Sequence, residues 1–332
     1  MSKMWALLAH LTQNWGGEEK KPWVFDEDAW KAVVNECEKY RINTIVLELN
    51  DGIEYKSHPE ISLPGAWSQE HLKAEIARCK EKGITIIPKL NFATPHDVWM
   101  GDYHKMISTD LYYKVCKDLI TEVSRLFDAP EYFHLGMDEE SEMCIPGCSL
   151  VIFRQPPLIW HDLRFLMDCV RENGSMPWIW HNWLFEHPEE YRKHFTPEDA
   201  ILSPYHYNAF RKEHFTPITV NTETAAYYMS GEFAGKNIQF VEEDPFFEVF
   251  HAQAIPNAKL GFRYVPCASV YNRCPYNHLD LVEHFRDNAP DSCLVGFMTG
   301  PWRCVTQEHL QDYLDSVRLL DEARREFYPD DN

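Results

Sequence analysis

Three acidic residues, Asp138, Glu139 and Glu140, follow directly on the segment His134-Leu135-Gly136-Met137. Carboxyl groups at neighbouring positions can divide acid–base work, one protonating a leaving oxygen while the other stabilises the positive centre left by its departure. Cleavage of a glycosidic bond asks for that division. In an extended strand, adjacent side chains point to opposite faces, so Asp138 and Glu139 reach one cleft only if the chain turns there. Gly136 gives the backbone freedom for a turn. The competing reading is an acidic strand-to-loop junction that does no more than face water.

The elements that would position these groups repeat along the chain. Short apolar runs rich in β-branched and aromatic residues alternate with segments of helical period, which argues for βα units and a parallel sheet. Eight runs are legible, at 4–10, 43–50, 84–92, 131–138, 176–183, 200–207, 263–271 and 293–299. Eight is the number that closes a (β/α)8 barrel. Between them, Asp26 or Asp28, Ser68, and Thr109 or Asp110 are placed to cap helices, Asn173-Gly174 to end one, and Asn277 to start another; the last helix is expected over 306–326. A doubly wound sheet is the rival architecture, but no G-x-G-x-x-G follows any run. The expectation is one α/β domain over 1–328, a lid or hairpin inserted in 208–262, and a frayed tail at 329–332.

In such a barrel, active groups collect where strands end. Trp15, Asn91, Trp180, Asn182, Trp183, Tyr205, Tyr207, Tyr271, Trp302 and Arg303 all follow or close one of the runs. Aromatic faces stack on the apolar faces of a pyranose, and amides and guanidinium groups match its hydroxyls. These residues are therefore candidate substrate-binding groups, although any single Trp among them could equally be packing. The reading calls for no cofactor and no metal.

The strand-four residues resemble glycoside hydrolase family 20, the β-N-acetylhexosaminidases, whose fourth strand carries His-x-Gly-Gly-Asp-Glu. Here the match is His134, Gly136, Asp138 and Glu139, with Met137 in place of the second glycine. The run Ile86-Ile87-Pro88-Lys89-Leu90-Asn91-Phe92-Ala93-Thr94-Pro95-His96 is similar to that family's third-strand run, with Lys89 and Asn91 where acidic residues are usual. The resemblance implies a retaining, exo-acting, substrate-assisted hexosaminidase in which Glu139 is the general acid/base. Asp138 would orient the 2-acetamido group, with His134 and His96 in support.

Other classes stay open at this level. His10, His181 and His206, with Glu48 or Asp138, could hold a metal for a hydrolase or isomerase, and a sugar-binding barrel without catalysis would look similar. No G-x-S-x-G elbow and no phosphate loop is present. The chain has 332 residues, 45% hydrophobic and 25% charged, with a formal net charge of −20, which disfavours nucleic acid and anionic membranes as partners. A neutral or cationic carbohydrate suits that field, and a homo-oligomer is compatible with it. The ten cysteines lack C-x-x-C spacing and read as reduced thiols, with Cys144 and Cys148 the one close pair. The sequence as it stands reads as cytoplasmic, or as secreted or periplasmic if an export signal has been trimmed.

Overall fold

The computed structural model describes residues 2–14, 19–140, 152–211, 214 and 254–331. Trp15, the Cys144/Cys148 pair and most of the segment 208–262 lie outside them. Nine strands form one parallel sheet: β1 (Met4–His10), β2 (Thr44–Glu48), β3 (Thr85–Lys89), β4 (Tyr132–His134), β5 (Met176–Trp180), β6 (Ile201–Ser203), β7 (Arg263–Tyr264), β8 (Cys267–Ala268) and β9 (Gly296–Thr299). Their order is β7-β6-β5-β4-β3-β2-β1-β9-β8.

The ninth strand arises because the seventh run is split. β7 pairs with β6, and β8 pairs with β9. The break falls at Val265-Pro266, where proline has no N–H for the ladder. The split run still stitches the two sheet edges together: Val265 N–H donates to Leu202 (2.9 Å) and Cys267 N–H to Pro204 (2.8 Å), while Val295 N–H donates to Tyr264 (2.9 Å) and Met298 N–H to Pro266 (2.8 Å). The sheet thus closes as a (β/α)8 barrel.

Helices α1 (Glu27–Lys39), α2 (Gln69–Glu81), α3 (Asp110–Leu126) and α4 (Leu158–Glu172) follow the first four strands. The short pair α5 (Asn182–Glu186) and α6 (Pro188–His194) follows β5, α7 (Ala254–Lys259) precedes β7, and α8 (Asn277–Asn288) and α9 (Leu310–Phe327) complete the ring. Asp26, Ser68 and Thr109 each accept a first-turn N–H with the side chain, the N-cap interaction that satisfies an orphan donor. Asn173 caps α4, and Gly174 follows at φ 86°.

Strand alternation divides the core in two. Ala6, Leu8, Val46, Ile87, Trp178, Ile201, Val265 and Met298 fill the barrel. Their neighbours Leu7, Ala9, Ile45, Leu47, Ile86, Phe133, Ile179 and Leu202 pack outward against the helices. Within the expected tail, one Asp331 carboxylate oxygen accepts from Lys3 N–H (2.9 Å) and Trp5 Nε1–H (2.8 Å) at the start of β1.

Candidate active site

The backbone after β4 does what adjacent carboxylates require. Gly136, Met137 and Glu139 have φ of 72°, 69° and 61°, so the strand coils instead of alternating. Positive φ costs a non-glycine residue about 1–2 kcal/mol, and the turn is held by side chains. Gly136 N–H donates to Nδ1 of buried His134 (3.0 Å). Burial and the charge of Lys89 hold the His134 imidazole well below its usual pKa; the ring is neutral and keeps Nδ1 as acceptor. Asn91 Nδ2–H donates to Asp138 Oδ1 (3.0 Å), and Asn91 Oδ1 accepts Ala93 N–H (3.1 Å).

The turn brings Asp138 and Glu139 to one imidazole. His96 Nε2 lies 3.2 Å from Asp138 Oδ2 and 3.1 Å from Glu139 Oε2, and His96 Nδ1 lies 3.2 Å from the carbonyl oxygen of Asn14. A carbonyl can only accept, so Nδ1 carries a proton. Burial works against a charged ring, but Asp138 and Glu139 outweigh it and raise the His96 pKa to about 10. Burial likewise works against a charged Asp138; His96, Lys89 and the Asn91 hydrogen bond outweigh it and lower its pKa to about 2. Near neutral pH the pair is an imidazolium beside a carboxylate. The Glu139 side chain is 28% exposed, more than Asp138 at 13%.

Glu140 takes no part in this group. It points into the wall, where its carboxylate binds the fully buried Arg154 through Nε (2.9 Å) and Nη2 and also accepts Thr94 N–H (3.0 Å). Arg154 further donates to the Phe92 carbonyl (3.0 Å) and lies 3.4 Å from Asp162 Oδ2. This cation ties the loops after β3 and β4 to α4, and no run or spacing in the sequence pointed to it.

Beneath the carboxylates, four consecutive strands place polar side chains in one row of the register: His10 opposite Glu48, Glu48 opposite Lys89, Lys89 opposite His134. Glu48 accepts from Lys89 Nζ–H (2.6 Å) and lies 3.0 Å from His10 Nδ1. Burial pushes the Glu48 carboxyl up, yet Lys89 and His10 hold it well below the ordinary range. Buried charges persist only when paired in this way.

An aromatic wall faces the acid pair. Trp180 packs against Tyr205 (5.4 Å between centroids) and Trp302 (5.5 Å); Tyr207 lies 5.6 Å from Tyr205, 5.7 Å from Trp302 and 5.7 Å from Tyr271. Burial raises the hydroxyl pKa of Tyr205 and of Tyr207, and the charge of Glu139 adds to each. Asn182 Nδ2–H donates to the Tyr205 hydroxyl (3.0 Å). The Arg303 guanidinium lies 5.6 Å above the exposed Tyr271 ring. Among the described residues, Trp180 Nε1, Trp302 Nε1 and Asn182 Oδ1 are buried without a hydrogen-bond partner. Trp302 also stands at φ 56°.

Two expected groupings do not form. Trp183 is in the outer core, edge-on to Trp160 (5.5 Å) and stacked on His187 (5.7 Å), because it lies on the helix-facing side of α5. Nor do His10, His181 and His206 converge. His10 faces Glu48, His181 stacks on Phe185 (5.8 Å) and His206 packs on Phe210 (4.8 Å). The one group of three or more close ligand-type side chains among the described residues is His96, Asp138 and Glu139.

No family model matches the sequence, and no curated protein matches it. Solved structures do match. A β-N-acetylhexosaminidase from Bacteroides fragilis superposes with a TM-score of 0.60 at 12% identity, over 96% of this chain and 65% of that one. An exo β-N-acetylglucosaminidase of glycoside hydrolase family 20 from Vibrio harveyi, an inactive mutant, gives 0.60 at 14%, over 99% and 56%. A mutant β-hexosaminidase from Streptomyces plicatus, in complex with the product GlcNAc, gives 0.59 at 12%, over 96% and 64%. The fold is the (β/α)8 barrel that these structures share. The chain spans between 56% and 65% of the length of these three neighbours. Among the described residues, no helix is long and apolar enough to cross a membrane.

Proposed function

We propose that the protein is a glycosidase, a retaining and exo-acting β-N-acetylhexosaminidase-like enzyme. The observation that carries this reading is the shared contact of Asp138 and Glu139, adjacent in sequence, with His96 Nε2 at 3.2 and 3.1 Å. Both carboxyl groups face one point, opposite aromatic side chains suited to a sugar. The neighbours sharing this barrel include enzymes whose names state hexosaminidase activity.

In this mechanism Glu139, the more exposed carboxyl group, delivers a proton to the glycosidic oxygen as the bond to the leaving group breaks. The substrate's own acetamido oxygen attacks the anomeric carbon, so no enzymic nucleophile is needed. Asp138 accepts the acetamido N–H, and its negative charge stabilises the positive ring that forms. Glu139 then takes a proton from water, which opens the ring with net retention. The His96 ring holds the two carboxyl groups in register, and the hydrogen bond from Asn91 fixes the rotation of Asp138. Trp180, Tyr205, Tyr207 and Trp302 supply the sugar platform.

Aryl glycosides with and without a 2-acetamido group, assayed on wild type, Asp138→Asn and Glu139→Gln, test the proposal. Glu139→Gln should lower kcat on the 2-acetamido substrate by about 10²–10⁴-fold, the usual weight of general acid catalysis, wherever the leaving group needs a proton; plain glycosides, which lack the internal nucleophile, should be cleaved far more slowly by the wild type. Loss with Asp138→Asn should be confined to 2-acetamido substrates. Equal loss on plain glycosides removes substrate assistance, and unchanged activity in Glu139→Gln removes the acid.

A further inference from the structure

We propose that His96, Asp138 and Glu139 also form a three-ligand site for a divalent transition-metal ion, with Zn2+ the best chemical fit, and that filling it switches the glycosidase off. The inhibitory half rests on the function proposed above; the binding half does not.

One ligand atom from each of the three side chains lies within 4.8 Å of the others. The edges from His96 Nε2 to the two carboxylate oxygens are 3.2 and 3.1 Å. A tetrahedral ion with bonds of about 2.0–2.1 Å needs ligand–ligand edges of about 3.3 Å; the two edges from His96 match that spacing, and the third lies within 4.8 Å. Two anionic oxygens and an imidazole favour zinc or a neighbouring transition metal; magnesium and calcium prefer six or more oxygen ligands.

An independent feature concerns the other nitrogen. His96 Nδ1 is 3.2 Å from the Asn14 carbonyl, the arrangement by which metal-binding imidazoles are oriented and made more basic. With Nδ1 turned to that carbonyl, Nε2 is the nitrogen that faces both carboxylates. The Glu139 side chain is 28% exposed, which leaves an approach for the ion and a coordination position open to water. An ion bound there occupies Glu139, so it can no longer hand a proton to the leaving oxygen.

Calorimetric titration of the full chain, freed of metal by chelator, with ZnCl2 alone tests the site. Wild type and Cys144→Ser/Cys148→Ser should bind zinc equally. His96→Gln and the near-isosteric Asp138→Asn should each lose more than the ~10–100-fold in affinity that removal of an outer-shell partner costs. CoCl2 should give a d–d absorption band with no thiolate charge-transfer band, and MgCl2 should give no binding heat. Circular dichroism of both single variants confirms that they fold, and Asp138→Asn decides alone if His96→Gln does not. Undiminished zinc binding in the folded variants, or binding lost with the two cysteines, overturns the site. Zinc binding without cleavage of any aryl glycoside keeps the site and refutes the glycosidase. Cleavage with neither zinc binding nor zinc inhibition refutes the site alone.

Discussion

The side-chain amide of Asn91 fills the space that a Cβ on Gly136 would need: an added methyl would sit 1.9 Å from Asn91 Oδ1 and 2.9 Å from its Cα. Two strands meet closely here so that Asn91 can reach past Gly136 to Asp138 at 3.0 Å. The glycine serves the orientation of a carboxylate one strand away from the amide that fixes it.

Gly136→Ala should therefore damage both stability and activity. The backbone at φ 72° costs an alanine about 1–2 kcal/mol, and overpacking adds about 1–3 kcal/mol. Urea denaturation should show a loss of that order. Adding Asn91→Ala should restore part of the stability, since the amide is the nearer obstacle, but none of the activity. Simple additivity of the two stability losses would show that the clash is not shared.

The His96–Asp138 pair predicts a pH profile of stability. The Asp138 pKa falls from 3.8 to about 2 on folding, so its contribution is present above about pH 4 and is lost as pH falls toward 2. The His96 pKa rises from 6.5 to about 10, so its contribution is complete below pH 6.5 and is lost as pH climbs through 10. Urea midpoints in chelator-treated buffer should hold level from about pH 4 to 6.5 and decline on either side. Asp138→Asn should lower the plateau and flatten both limbs. Parallel curves for the two proteins between pH 6.5 and 10 would mean that His96 gains nothing from Asp138.

The barrel was legible in the sequence because its signals are local. Apolar runs and capping residues such as Ser68 and Thr109 act over a few positions, and the structure keeps them with small shifts at the ends. The split of the seventh run was marked only by Pro266, which reads equally well as the end of a strand. Side-chain destinations were harder. Trp180 and Trp183 are three residues apart, yet one faces the mouth and the other the helix layer, because the chain leaves strand geometry at His181 and enters α5. Asp138, Glu139 and Glu140 form one acidic run in sequence; three positive-φ residues, and an arginine 14 positions beyond Glu140, separate two that face the cleft from one that is buried.

That arginine yields the sharpest stability prediction. Arg154 is fully buried between Glu140 and Asp162, and the surrounding charges outweigh burial to raise its pKa above the ordinary value. Replacing it with methionine preserves much of the volume but strands the Glu140 carboxylate without its cation. Breaking a buried pair by removing one partner typically costs about 3–5 kcal/mol. Arg154→Met should lose that much in urea denaturation, and Arg154→Met/Glu140→Gln should recover part of it, because the second change removes the stranded charge. Activity should fall even where the variant stays folded, since Arg154 Nη2 holds the Phe92 carbonyl at 3.0 Å while Glu140 holds Thr94 N–H at 3.0 Å, two positions before His96. A rise in KM or fall in kcat at temperatures well below the unfolding midpoint would carry the effect to the site. Unchanged kinetics would confine Arg154 to stability.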